Sequence, residues 1–208
     1  MTDLHTLFRS HARERPLHPA VVDDRGALDY ARLEVEVRGL AGVLTARGVA
    51  PGDVVGIRLP NGRDAVIAEL AVAAVGAAAL AFEGGRPCGL AAVLGDECAP
   101  GVITPSARCR AWTPVAVDPV TTARIVVGTA PVGYSHLAIG GRAEHRSPTA
   151  RHLVLEPLAT SFGAAITLCR FGGTLILTAH RDTASVTRLV AEHRPTHVFG
   201  RPLPRDDW

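Results

Sequence analysis

The chain has 208 residues, of which 47% are hydrophobic and 20% charged, enough for one large domain or two small ones and too ordinary a mix for a disordered segment. A net charge of only +2, 4% aromatics and arginines scattered along the chain argue against a nucleic-acid binder. All 22 basic residues are arginine, so no Schiff base can form and no ammonium can grip a phosphate as a point charge, although an arginine fork can still hold an anion.

Leu4 to Arg13 places Leu4, Leu7, Phe8 and Ala12 on one face and predicts a short amphipathic helix. Ala20 to Asp23 and Ala27 to Tyr30 flank Arg25-Gly26 and predict a hairpin. Tyr30 to Arg47 predicts a helix with Leu33, Val37, Leu40, Ala41 and Leu44 on its inner face and Gly48 at its end. Val54 to Leu59 reads as a strand. Ala65 to Phe82 is almost wholly apolar, but it contains Glu69 and is alanine-rich. A membrane span needs about 20 strongly apolar residues, so a buried helix from Arg63 to Gly76 running into a strand at Ala79 to Phe82 is expected instead.

Further along, Leu90 to Leu94 predicts a brief helix, and Gly101 to Thr104, Trp112 to Val117 and Ile125 to Val127 predict strands. Gly128 to Arg142 then reads as a Gly-rich loop hanging off an apolar strand, the usual place for a phosphate cradle. Strands are expected at His152 to Leu155, Thr174 to Thr178 and Thr196 to Phe199, with helices from Leu158 to Arg170 and Ala184 to His193 between them. Alternation of strand and helix from Tyr30 onward implies parallel βαβ units, hence an α/β fold with a mostly parallel sheet flanked by helices. A seam is expected near residues 105–122, within one domain spanning 1–202, with 203–208 as a tail.

Cys88, Cys98, Cys109 and Cys169 fit no zinc or redox spacing, and Met1 to His5 begins no signal peptide, so free thiols in the cytoplasm are expected. His193 and His197 are four apart, but Pro195 keeps them off one helical face, and no metal site is expected. Cys169, on an apolar helix, reads as a buried thiol. Ser135 and His136 are a nucleophile–base combination by residue type, yet adjacent residues seldom face one another, and no Gly-x-Ser-x-Gly elbow surrounds them.

Taken in order, several segments resemble the front half of the large domain of adenylate-forming enzymes, the superfamily of acyl-CoA synthetases, luciferases and nonribosomal peptide synthetase adenylation domains. Tyr30 and Leu33 open a helix, Gly48, Gly52 and Asp53 form the following turn, and an apolar helix ends at Gly76, as in that family's opening. Pro157-Leu158, Ser161-Phe162 and the strand after Gly172 resemble a later segment, and Leu189 to Pro202 resembles the helix and strand beyond it. The resemblance implies the family's α/β fold. It also exposes departures: the chain stops before the segments that hold adenine, ribose and the hinge, and before the small domain with its catalytic lysine. The family's Ser/Thr/Gly-rich phosphate loop ends in Pro-Lys-Gly, whereas Thr129 to His136 carries no lysine. Where amino-acid activators often have an aspartate after the phenylalanine, Phe162 precedes Gly163.

The expectation is therefore a degenerate, truncated adenylation-like protein of a bacterial natural-product pathway, with no cofactor and no ATP-dependent activation. It would bind a second copy, a carrier protein, a partner enzyme or a small acyl or aminoacyl intermediate, and neither nucleic acid nor membrane. Thr129, Gly133, Tyr134 and Phe162 are the ligand-binding candidates implied by the resemblance. The alternative is a repurposed enzyme performing cyclisation, hydrolysis or acyl transfer, with His136 or His152 as base and Ser135 as a further catalytic candidate.

Overall fold

The computed structural model describes residues 3–85, 87–95, 102–107, 109, 112–127, 131–140, 147–156, 164–180 and 182–200. Helix α1 (Leu4–Glu14) begins at Asp3, whose carboxylate accepts the Thr6 N–H at 2.9 Å. Strands β1 (Pro19–Asp23) and β2 (Gly26–Asp29) form the expected hairpin, and Asp29 caps α2 (Tyr30–Ala46) by accepting the Arg32 N–H at 2.7 Å. Then follow β3 (Val54–Arg58), α3 (Arg63–Ala74), β4 (Ala78–Ala81), β5 (Ala92–Gly95), β6 (Val102–Ile103), β7 (Thr122–Val127), β8 (Pro131–Ser135) and α4 (His136–Gly140). The last described elements are β9 (Arg151–Val154), α5 (Ala164–Phe171), β10 (Thr174–Leu177), α6 (Thr183–His193) and β11 (His197–Phe199).

The strands make two sheets, ordered β11-β9-β10-β1-β2 and β6-β5-β3-β4-β7-β8. Every described pairing is parallel except the hairpins β1–β2 and β7–β8. Helix α3 touches strands of both sheets as well as α1, α2 and α5. That position explains its composition. From Ala65 to Ala74 every residue is buried, and an all-round apolar helix can be stable only when covered on all sides. No helix among the described residues is long and apolar enough to cross a membrane.

Three expectations are corrected. Ala92–Gly95, at the end of the stretch expected to be helical, is a strand buried along its length and paired parallel with β3; four apolar residues suit a strand buried on both faces better than one helical turn. Trp112 to Val117 joins no ladder. Trp112 is instead buried, its ring edge-on to His5 at 5.8 Å. The neighbouring Cys109 N–H donates to Gly39 at 3.0 Å, so this seam packs onto α2, where a Cβ on Gly42 would lie 2.8 Å from that of Cys109. Finally, Pro131–Ser135 is no loop: it is β8, antiparallel to β7.

At Gly173 the chain leaves α5 for β10 with φ +79, and a Cβ there would sit 2.3 Å from the Ala150 carbonyl oxygen, which excludes any side chain. The buried Tyr30 hydroxyl donates to the Gly173 carbonyl at 2.9 Å, tying α2 to this turn. Among the described residues, one charged pair is almost wholly buried. Glu69 of α3 contacts Arg124 of β7, and both side chains are 5% exposed or less. Its second carboxylate oxygen accepts the Ala165 N–H of α5 at 3.2 Å. Glu69→Ala should lower the unfolding free energy in urea by about 3–5 kcal/mol, because the buried Arg124 would keep its charge and lose the Glu69 carboxylate. Glu69→Leu with Arg124→Met should cost less than that single change.

Candidate functional site

A cavity of about 500 Å³ opens where the β7–β8 hairpin and α4 face β9, α5 and β11. One wall is Tyr134 of β8 with Ala138 and Ile139 of α4; the other is Val154 and Glu156 at the end of β9, Ile166, Thr167, Arg170 and Phe171 of α5, and Phe199 of β11. Local chemistry builds each wall. Ser135 accepts the Ala138 N–H at 3.1 Å, starting α4 so that Ala138 and Ile139 reach the cleft. The first turn of α5 is held by Glu69, which directs Thr167, Arg170 and Phe171, at i, i+3 and i+4, into the cleft. Small pockets of this kind bind mainly through apolar walls, with a few polar groups setting orientation.

Of the residues anticipated from sequence, Tyr134 lines the cleft. Gly133 is exposed on β8 opposite Ile125. Thr129 and Phe162 lie outside the described residues. Ser135 and His136 diverge: the serine caps α4, while the histidine is wholly buried under α1, its Nδ1 accepting the Leu4 N–H at 3.4 Å. Burial lowers the His136 pKa, against the opposing pull of Asp3. His152 is buried in β9 among Phe171, Phe199 and His197, with ring centroids 5.1–6.0 Å away. Burial, and then the neighbouring His197, bring its pKa down to about 4, leaving it neutral at pH 7. Neither histidine is among the residues lining the cleft.

Cys169, on the inward face of α5, is fully enclosed beside Glu69, and burial pushes its thiol well up and away from the reactive thiolate. Sequence reasoning missed Glu156, Arg170, Phe171 and Phe199. The i, i+3, i+4 spacing of Thr167, Arg170 and Phe171, opposite the buried Leu168 and Cys169, was the available signal.

The sequence profile of the family described as AMP-binding enzyme matches residues 8–135, more than half of the chain. Phenyloxazoline synthase MbtB of Mycobacterium sp. (strain MCS) is 27% identical over 96% of this chain and 20% of its own length. Malformin synthetase mlfA of Aspergillus neoniger is 41% identical over 48% of this chain and 2% of its own. Isonitrile lipopeptide synthase of Streptomyces coeruleorubidus is 39% identical over 49% of this chain and 7% of its own. The chain therefore spans a fifth or less of these relatives. Among solved structures, the Klebsiella oxytoca NpsA N-terminal subdomain in complex with 3-hydroxybenzoyl-AMSN superposes with a TM-score of 0.83 over 96% of this chain and 60% of that one, at 18% identity. The nonribosomal peptide synthetase FmoA3 in its AMPPNP-bound form gives 0.79 over 93% and 25%, at 24% identity. These two likenesses establish the fold.

The buried histidines set an acid limit on stability. His5 and His152 both have pKa values lowered from 6.5 to about 4, chiefly by burial. Between those values the unfolded chain takes up protons that the folded one refuses, so stability is lost as pH falls from about 6.5 to about 4. Thermal melting across that range should show a falling midpoint. His152→Phe, which keeps an aromatic ring among its neighbours and cannot titrate, should make the fall shallower.

Proposed function

The chain belongs to the AMP-binding enzyme family, and on that premise we propose that it is an adenylation-like protein of nonribosomal-peptide assembly that binds an acyl or aminoacyl intermediate in the cleft without activating it with ATP. The carrying observation is a 500 Å³ cleft walled by Tyr134, Ile139, Ile166, Phe171 and Phe199, in a chain without a single lysine. Acyl adenylation needs the nucleotide held at several points and positive charge on the transferring phosphate. Losing one such donor typically costs about 100–1,000-fold in rate. Here the resemblance would place a lysine within Thr129 to His136, and none is present.

The cleft wall is mostly apolar, in a chain that has no lysine. The structurally similar NpsA subdomain was solved with 3-hydroxybenzoyl-AMSN, and the 3-hydroxybenzoyl part of that molecule supports an aryl body in this cleft. The intermediate would be passed to or from a carrier protein, a partner enzyme or a second copy of the chain. Catalysis by a histidine base gains no support from the geometry, since His136 and His152 are buried, are not among the residues lining the cleft, and are lowered in pKa.

Purified 208-residue protein should show no ATP–pyrophosphate exchange above background with aryl or amino acids; measurable exchange overturns the reading. Calorimetry should detect binding of small aromatic acids, and Thr167→Trp, which fills the cleft from α5, should weaken it more than about tenfold while leaving the melting temperature nearly unchanged.

A further inference from the structure

His152 of β9 and His197 of β11 lie opposite each other in the parallel ladder at the edge of the five-stranded sheet, so their side chains share one face. Their ring centroids are 5.1 Å apart. Two imidazole nitrogens about 2.0–2.1 Å from one tetrahedral ion place their ring centroids about 5 Å apart, so this spacing suits a shared metal. His152 is 2% exposed, and both its ring nitrogens are shut off from solvent without a hydrogen-bond partner. A buried polar group in that condition costs free energy until it is met. The nearby Gly172 carbonyl favours an N–H on one nitrogen without completing a hydrogen bond, and the other keeps its lone pair. The ring is neutral at pH 7, the form in which imidazole binds metal. His197 is exposed and opens the pair to solvent. The Thr196 hydroxyl donates its one proton to the Arg151 carbonyl at 3.2 Å and therefore accepts from His197 Nδ1 at 2.9 Å. That assigns the His197 proton to Nδ1 and leaves the Nε2 lone pair for a metal, with the ring held in orientation by the threonine.

We propose that His152 and His197 form a binding site for a divalent transition-metal ion of the zinc, nickel and copper kind, its other positions held by water. Imidazole nitrogen selects these ions, whereas Mg²⁺ and Ca²⁺ take oxygen ligands. Among the described residues no group of three or more His, Cys, Asp and Glu gathers to hold a metal, so the two-histidine site is open and exchangeable rather than a closed structural cage. Its effect is to fasten the edge strand β11 to β9, where His152 packs on Phe171 and Phe199 of the cleft wall. The site stands whatever the cleft binds. Sequence spacing offers His193 as the companion of His197; the fold ends α6 at His193, beside Glu192, and brings His152 to His197 instead.

Titration calorimetry of the tag-free 208-residue chain with Ni²⁺, Zn²⁺ and Mg²⁺ tests this. Ni²⁺ and Zn²⁺ should bind and Mg²⁺ should not. His197→Ala and His152→Phe should each weaken Ni²⁺ at least about tenfold, since losing even a residue that only orients a metal ligand costs about 10–100-fold. His193→Ala should leave the affinity unchanged. Ni²⁺ should also raise the melting temperature of the unmodified chain and not that of the first two variants. Should His152→Phe fail to fold, pulsed EPR of the Cu²⁺-loaded unmodified chain decides: two coupled imidazoles are expected, and one or none overturns the site. Absence of Ni²⁺ and Zn²⁺ binding overturns the proposal. So does Ni²⁺ binding that persists in both variants, or that is lost in only one of them. Mg²⁺ binding as tight as that of Ni²⁺ overturns the imidazole assignment.

Discussion

A carboxylate and a guanidinium, both nearly excluded from water, meet at the centre of this protein, and the positions of three elements depend on them. Glu69 stands on α3, the helix enclosed between the two sheets; Arg124 stands on β7 in the six-stranded sheet; the Ala165 N–H belongs to the first turn of α5. Burial alone pushes the Glu69 carboxyl upward, against the pull of Arg124 and the Ala165 N–H. Apolar residues of similar volume could fill the space at little or no cost in stability. They could not accept the Ala165 N–H, one of the donors that the start of a helix leaves without a partner. The pair thus sets where α5 begins, and through that the direction of its outer face.

That direction decides the site. Thr167, Arg170 and Phe171 point to the cleft because Leu168 and Cys169 point inward against the core. The opposite wall comes from the other sheet, through the β7–β8 hairpin and α4. A cleft formed between elements of two sheets keeps its shape only while the helices between them hold the spacing. The all-buried α3 and the tie from Tyr30 to Gly173 serve that end. The histidines abundant in the second half of the chain have gone elsewhere. His136 packs beneath α1, and His152 sits in an aromatic group with Phe171, Phe199 and His197, where their rings contribute packing rather than proton transfer.

Kinship with AMP-binding enzymes covers the framework more firmly than the chemistry. The family match runs from within α1 to the end of β8, over helices α1 to α3, the β1–β2 hairpin of the five-stranded sheet and the six-stranded sheet. The residues on which the cleft's character turns, Arg170, Phe171 and Phe199, follow that stretch. In folds of this kind, binding specificity resides in a few side chains rather than in the fold.

Local pattern was enough wherever one short-range signal dominated. The helical faces of α1 and α2, the Arg25-Gly26 hairpin, the parallel βαβ order and the buried nature of Ala65 to Phe82 all follow from hydrophobic period and turn chemistry, which act over a few residues. The resemblance added the family. Local pattern failed where partners far away in sequence supplied the deciding contact. The stretch at Leu90 to Leu94 became a strand because β3 lay ready to pair with it, and Pro131–Ser135 became β8 because β7 did. Trp112 left the ladder for His5, and His136 was claimed by Leu4, 132 residues earlier. The existence of two sheets, the pairing of Glu69 with Arg124 and the gathering of Tyr134, Arg170 and Phe199 around one cavity were tertiary decisions. Hydrogen-bond ladders and ion pairs between distant segments are free energies of contact, and a linear sequence states the residues without stating which of them will touch.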